Sequence, residues 1–171
     1  VFPLSEKSGH TAPDDLQSEK AKPGTSLHWF SQTIGPDRGL EDALRALPLL
    51  PEDVYLSLRG NWADGYEQVF REEAASLGVA ERVVHLSLVP PTEVVERTAQ
   101  HDIGLALEHP VSRNRKICVT NKLFTYLLAG IPFVATETPG QKAVCEELPD
   151  ASRLYAPGTP EAFAEAVRSL L

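Results

Sequence analysis

The sequence contains no methionine, two cysteines and no long apolar run. Cys118 and Cys145 lie far apart and form neither a disulfide framework nor a metal-binding motif, which favours a reducing cytoplasm. No stretch approaches the roughly 20 apolar residues that span a bilayer, and no secretory signal pattern opens the chain. Because the chain starts at Val1 without a methionine, we expect a fragment or a processed product that lacks another half.

Positive charge is also scarce. The chain has 16 Lys and Arg residues against 24 Asp and Glu residues, a net charge of −8. This balance argues against a non-specific nucleic-acid binder, which needs a basic surface. With 171 residues, 42% of them hydrophobic, the chain is long enough for one globular domain with a substantial core.

The first 26 residues show neither a strand period nor a helix period. They are rich in Ser, Pro, Lys and Glu, with chain-breaking residues at 11–13 and 22–24. Such a composition indicates a linker or a loosely ordered arm, and a frayed N-terminus explains it equally well. The folded domain is predicted to cover residues 27–171.

From residue 27 onward, short apolar strands alternate with amphipathic helices. Strands are predicted at residues 27–31, 53–59, 83–88, 103–107, 133–136 and 153–155. Helices at 90–100, 121–129 and 141–148 are predicted between them, and apolar stripes mark three more: Leu40, Ala43, Leu44 and Leu47; Tyr66, Val69, Phe70, Ala74 and Leu77; Phe163, Ala166, Val167 and Leu170. The alternation predicts an α/β fold, a Rossmann-like doubly wound parallel sheet of about six strands with helices on both faces.

Ligands of such sheets bind beyond the carboxyl ends of the strands, where the strand order reverses. The loops after the first and fourth strands, residues 32–39 and 108–120, are expected to flank that point. Neither contains a G-x-G-x-x-G fingerprint or a P-loop. The turn after the first strand, with Gly35, Arg38 and Gly39, can place a cation and backbone amides beside a phosphate, or it is simply a turn.

The loop after the fourth strand is the one dense basic cluster of the sequence. Its cations precede or open a helix that starts at Thr120–Asn121, and they are Arg113, Arg115, Lys116 and Lys122. Unpaired amides and the helix dipole favour an anion at such an N-terminus, so a phosphate-bearing ligand is predicted. A solvated charged loop is the alternative.

Further polar residues stand near the predicted ligand edge. Asn121 and Thr125 share a helix face and can hydrogen-bond a ribose, although Thr120 or Asn121 can also be a plain N-cap. Arg59, Gly60 and Asn61 end the second strand, where Arg59 reaches a ligand or pairs with a surface carboxylate. Cys118 and His109 have no catalytic constellation around them, and the histidines show no metal spacing.

Residues 120–140 (TNKLFTYLLAGIPFVATETPG) closely resemble the nucleotide-sugar-binding segment of group 1 glycosyltransferases of the GT-B fold, which commonly read NKLFEYxxAGxPVVASxxPG. Arg38–Gly39 is similar to the family's K-G after the first strand. The resemblance implies hexosyl transfer from a nucleotide-diphosphate sugar, with retention of configuration and no metal or other cofactor. It also implies that this chain is the C-terminal, donor-binding domain, inactive without the N-terminal acceptor-binding domain.

The resemblance assigns roles residue by residue. The donor phosphates are expected near Gly35, Arg38, Gly39, Arg59, Arg113, Lys116, Thr120, Asn121 and Lys122. The ribose and sugar are expected near Asn61, Thr125 and Gly140.

Three positions depart from the family pattern: Thr125 and Ile117 replace glutamates, and Gln32 replaces an arginine. A threonine cannot accept hydrogen bonds from both ribose hydroxyls as a carboxylate does. The alternatives are therefore a variant that holds ribose differently, a non-catalytic nucleotide- or partner-binding module, or a related epimerase or phosphorylase.

Overall fold

The computed structural model describes residues 22–108 and 120–171. Its centre is a sheet of six parallel strands: β1 Thr25–Ile34, β2 Val54–Trp62, β3 Val83–Leu86, β4 Ile103–Ala106, β5 Phe133–Thr136 and β6 Ser152–Tyr155. The strand order is β3-β2-β1-β4-β5-β6. The predicted Rossmann-like doubly wound sheet is confirmed.

Six α-helices occur within the described ranges: α1 Leu40–Ala46, α2 Tyr66–Ser76, α3 Val94–Thr98, α4 Asn121–Ala129, α5 Pro139–Glu146 and α6 Pro160–Arg168. Short 3-10 turns follow α1 at Leu47–Leu49 and precede β3 at Ala80–Arg82. No helix in these ranges is long and apolar enough to cross a membrane.

The predicted bounds of α4 and β5 match the structure residue for residue, and other elements differ at their ends. β1 begins two residues before the predicted strand and runs three residues beyond it. The helix predicted at 90–100 is shorter, and β3 ends at Leu86 because residues 87–90 leave the ladder. Residues 1–21 lie outside the described residues, so the division into arm and domain stays a prediction.

One predicted core position is wrong. Val69 was placed on the buried stripe of α2, but it is 58% exposed, whereas Phe70 and Ala74 are buried. At about 100° per residue, Val69 projects roughly 95° away from the mean direction of Tyr66, Phe70, Ala74 and Leu77. It therefore faces solvent despite its hydrophobicity.

The core lies on both faces of the sheet. On one face, Leu27, Trp29 and Leu56 pack beneath α1, α2 and α6. On the other face, Tyr126 of α4 lies over Gly104 of β4, where an added Cβ would come within 2.4 Å of the ring. The Tyr126 hydroxyl donates hydrogen bonds to the carbonyls of His28 and Leu105. This anchor fixes α4, and hence its N-terminus, relative to β1 and β4.

Candidate functional site

The loops after β1 and β4 meet at the carboxyl edge of the sheet. β1 pairs with β2 on one side and with β4 on the other, so the strand order reverses there. Gly39, which precedes α1 with φ of 74°, packs so closely that an added Cβ would lie 3.1 Å from the Cβ of Leu107. The prediction that these two loops flank the switch point is confirmed at their described ends.

A pocket of about 500 Å³ opens at this edge between β1, the segment after β3 and α4. Its walls are mainly apolar, and a few polar side chains converge on it; the lining residues are Phe30, Ser31, Gln32, Arg59, Leu88, Val89, Pro91, Val94 and Asn121. An apolar pocket with few polar groups is typical of small-molecule sites. Its volume lies within the range of small-molecule sites.

Arg59 supplies the cation of this pocket. The residue is 4% exposed, and its guanidinium donates a hydrogen bond to the Ser87 carbonyl at 2.6 Å. Gly60 follows with φ of 151°, and an added Cβ would lie 2.4 Å from the Ser31 carbonyl oxygen, so only glycine fits. Asn61 continues the strand opposite Thr33 and is exposed. The chain thus brings Arg59 to the pocket, and Asn61 lies two residues farther along β2, still paired with β1.

The N-terminus of α4 forms another wall. Thr120 has extended backbone angles and makes no side-chain cap, and its enclosed Oγ1 has no hydrogen-bond partner among the described residues. Asn121 is exposed and lines the pocket. The first turn of this nine-residue helix, with its unpaired amides, therefore lies at the pocket.

Thr125 makes a bond within its own helix. Its hydroxyl donates to the Asn121 carbonyl at 3.1 Å. The predicted face shared by Asn121 and Thr125 exists, but the Thr125 hydroxyl proton is already used within α4. A carboxylate at this position would have no such donor.

Lys122 is enclosed, an arrangement that the sequence did not reveal. Its Nζ lies 3.4 Å from Glu108 Oε1 and 5.2 Å from the centre of the Trp29 ring. Both charged side chains are about one-tenth exposed. The pair joins the end of β4 to the first turn of α4, and the phosphate role expected for Lys122 stays a prediction.

The remaining predicted residues lie at neighbouring loops. Gly35 is buried, and half-buried Arg38 lies in the turn before α1, beside a depression of about 260 Å³ lined partly by Asp37, Glu41 and Asp42. Gly140 is half-buried in the first turn of α5, which Thr138 caps by accepting a hydrogen bond from the Gln141 amide. Neither Arg38 nor Gly140 lines the larger pocket.

Several predicted residues cannot be placed. His109, Arg113, Arg115, Lys116, Ile117 and Cys118 lie outside the described residues. Across the described ranges, no group of three or more His, Cys, Asp or Glu side chains could hold a metal ion. Cys145 is a free cysteine in these ranges, and burial raises the pKa of its thiol.

Arg59 and Asn121 were predicted as site residues and line the pocket, whereas its apolar walls were not predicted. The sequence pattern predicts only that Phe30 lies in the first strand and that Leu88 lies at the end of the third strand. The signal available was the pair of prolines at 90–91, which ends β3 early and turns apolar residues toward the edge.

The model of the family "Glycosyl transferases group 1" matches residues 26–171. The chain belongs to this glycosyltransferase family. A search of curated protein sequences gave no match. Among solved structures, HepE of Anabaena in complex with UDP has a TM-score of 0.72 at 21% identity, over 85% of this chain and 38% of its own.

Two further group members share the fold. WaaG, a glycosyltransferase involved in lipopolysaccharide biosynthesis, has a TM-score of 0.63 at 20% identity, over 86% of this chain and 38% of its own. The C-terminal domain of the glycosyl transferase group 1 protein LpcC from Francisella tularensis has a TM-score of 0.64 at 11% identity, with coverages of 86% and 76%. The chain thus spans 38% of HepE and of WaaG but most of the isolated LpcC domain.

Proposed function

We propose that this chain is the donor-binding C-terminal domain of a GT-B glycosyltransferase that transfers a hexosyl group from a nucleotide-diphosphate sugar. One observation carries the proposal: the pocket at the switch point is bounded by Arg59 on one side and by Asn121 at the start of α4 on the other. Structures of HepE with UDP and with UDP-glucose support the same ligand class.

The pocket divides naturally between the parts of such a donor. The base lies against the apolar walls made by Phe30, Leu88 and Val94, since planar rings gain most from apolar and aromatic contact. The diphosphate lies at the start of α4, where backbone amides, the Thr120 hydroxyl and the helix dipole favour negative charge. Arg38 and Gly39 approach it from the turn after β1.

This half of the enzyme contributes binding and electrostatics. Stabilising the charge on the departing nucleoside diphosphate lowers the barrier for breaking the bond to the sugar. The acceptor is bound by an N-terminal domain, so the isolated chain is inactive. Retention of configuration, independence of metal and a cytoplasmic role in polysaccharide or glycoconjugate synthesis belong to the same proposal for the full-length enzyme.

One observation favours a second candidate, a non-catalytic nucleotide-binding module. Thr125, with its hydroxyl donating to the Asn121 carbonyl, replaces the glutamate that the family resemblance leads one to expect at the ribose. Such a module binds the nucleotide and supports no transfer in the full-length protein.

Calorimetric titration of the chain with UDP, GDP, ADP and their glucose conjugates tests the proposal, with uridine, guanosine and adenosine as matched controls. We expect one nucleotide series to bind and its nucleoside to bind at least tenfold more weakly. Failure of every nucleotide to bind at millimolar concentration contradicts the proposal. Binding without sugar transfer by the full-length protein supports the second candidate.

A further inference from the structure

Two histidine rings lie stacked in the interior beneath the pocket. His28 of β1 and His101, just before β4, have ring centroids 3.9 Å apart and planes inclined by 4°. The side chains are enclosed, with 0% and 3% exposure. Polar rings at such positions cost more to bury than apolar ones, so their arrangement calls for a role.

A hydrogen-bond network holds this pair in place. The Ser26 hydroxyl is 2.6 Å from His101 Nδ1 and 3.2 Å from the Ser57 hydroxyl. The Ser26 amide donates to the Asp102 carboxylate at 2.8 Å. The network ties β1, β2 and the segment before β4 together.

The histidine pair is continuous with the pocket wall. The His28 ring stacks on Phe30 at 5.9 Å with a 21° inclination. Phe30 is in register with Arg59 on the neighbouring strand, and both line the pocket. A column of rings thus runs from His101 through His28 to the wall.

The surroundings of His28 disfavour a proton on its ring. Burial is the largest of three effects that lower its pKa well below the usual value. The charges of the nearby His101 and Arg59 are the next two, and a hydrogen bond with the Ser57 backbone opposes them. The Tyr126 hydroxyl of α4, which carries no charge, donates to the His28 backbone carbonyl. α3, which packs on α4, carries the Arg97–Glu93 ion pair, in which opposite charges lie 3.1 Å apart.

We propose that the His28–His101 stack is an acid-sensitive support of the pocket: the neutral rings hold Phe30 and Arg59 in place, and a proton on either ring displaces them and weakens nucleotide binding. That the ligand is a nucleotide rests on the proposed function. The structural role of the His28–His101 stack does not depend on the ligand.

The direction of the pH effect follows from linkage. In the unfolded chain a histidine takes up a proton below a pH of about 6.5, whereas the folded chain resists it. The stability that the His28 ring contributes is complete above that pH and is lost as the pH falls toward the lowered pKa of His28 in the folded state.

The test follows the Arg59 side-chain Nε–H signal in proton–nitrogen NMR spectra, together with urea unfolding, between pH 8 and 5. In the unsubstituted chain we expect the midpoint urea concentration to fall below pH 6.5, and the Arg59 signal to shift only at the acid end of this range, where the folded chain begins to take up a proton on His28. In His28→Phe, which keeps a ring but no titratable nitrogen, both changes should be at most half as large. His85→Gln removes the histidine of β3 whose Nε2 lies 2.7 Å from the Gly60 carbonyl oxygen; it separates the effect of that histidine on the Arg59 signal and should retain the fall in midpoint urea concentration.

UDP affinity at pH 7.5 and at the acidic pH where the Arg59 signal shifts completes the experiment. UDP itself gains a proton in this range, so the comparison is between proteins at the same pH. We expect the affinity of the unsubstituted chain to fall at least fivefold more than that of His28→Phe. If His28→Phe does not fold, His101→Gln, which keeps an acceptor for the Ser26 hydroxyl, takes its place.

An identical pH dependence of unfolding and of the Arg59 signal in both proteins overturns the inference. If UDP, GDP and ADP all fail to bind at either pH, the proposed function fails, and the Arg59 signal with the unfolding data still decides for or against the acid-sensitive support.

Discussion

In the proposed function, the positive charge of Arg38 binds the phosphates of the donor. The residue lies half-buried in the turn that ends at Gly39, next to the end of β4. A hydrogen bond to a charged group contributes about 1.5–3 kcal/mol, and 1.4 kcal/mol corresponds to a tenfold change in affinity. We therefore expect Arg38→Ala to weaken UDP about tenfold and uridine less than twofold, as measured by calorimetry.

Arg168→Ala is the matched control for Arg38→Ala. Arg168 ends α6 and donates to the Leu49 carbonyl, at the opposite edge of the sheet. The substitution Arg168→Ala removes one positive charge, as Arg38→Ala does, at a residue that does not line the pocket. If Arg38→Ala loses affinity equally for UDP and uridine, or if both variants lose the same affinity for UDP, the assignment of Arg38 to the phosphates is contradicted.

Glu108 and Lys122 form an enclosed ion pair, and removing one partner leaves the other charge uncompensated. Breaking such a pair costs about 3 kcal/mol or more, and the remaining contact of Lys122 with Trp29 reduces this cost. We expect Glu108→Gln to lower the free energy of unfolding by roughly 2–3 kcal/mol in urea titrations.

The exposed pair Lys142–Glu137, at 3.1 Å and about half exposed, provides the comparison. Glu137→Gln should cost less than about 1 kcal/mol. The double variant Glu108→Gln/Lys122→Met should be more stable than Glu108→Gln alone. If Glu108→Gln and Glu137→Gln lower the free energy of unfolding by similar amounts, the Glu108–Lys122 pair is not a buried interaction in solution.

The sequence could not predict this pair, because Glu108 and Lys122 are 14 residues apart and only the fold brings them together. Lys122 was therefore assigned to phosphate on its position in a basic cluster. Arg59 lines the pocket although β2 continues three residues beyond it to Trp62, and its contact with a ligand stays a prediction. Its neighbours in the pocket, Phe30 of β1 and Leu88 from the segment after β3, lie far from it in the sequence, and only the fold brings them together.

At the scale of elements, α4 depends on the absence of a side chain at Gly104. The Tyr126 ring occupies the space that a Cβ would need, at 2.4 Å. Overpacking of a core costs about 1–3 kcal/mol and forces backbone shifts. We expect Gly104→Ala to lower the free energy of unfolding by about 2–3 kcal/mol and to weaken UDP, because α4 carries Asn121 into the pocket.

Gly35→Ala serves as the stability control for Gly104→Ala. Its nearest new contact is the Ala63 Cβ at 3.4 Å, and its φ is not in the left-handed region. A change below about 0.5 kcal/mol is expected. If Gly104→Ala is no more harmful than Gly35→Ala, Tyr126 does not anchor α4 in the way described.

The bounds of α4 were predictable because its ends have local causes. Thr120 precedes the helix with extended angles, and Gly130 closes it with φ of 70°. β1 was predicted too short because its extension beside β2 depends on a register shift between Phe30 and Thr33. Val69 was misplaced because hydrophobicity alone does not reveal which side of a helix packs on the sheet.

At the scale of the whole molecule, the alternation of strands and helices was enough to predict the sheet and its ligand edge. The position of the reversal follows from the order β3-β2-β1-β4-β5-β6. The same edge gathers Arg59, Gly39 and Asn121 from three separate segments. The acidic chain thus concentrates its binding chemistry at one place.

The central claim is that this edge holds a nucleoside diphosphate. Titration of the labelled chain with UDP, GDP and ADP, followed by proton–nitrogen NMR, tests it most directly. The account predicts that one of them shifts the backbone signals of Gly39, Asn121 and Arg59 together, with one affinity, while Val54 and Arg168 at the opposite edge stay unchanged. Shifts that cluster at Val54 and Arg168, or no shifts with any of the three at millimolar concentration, would contradict it.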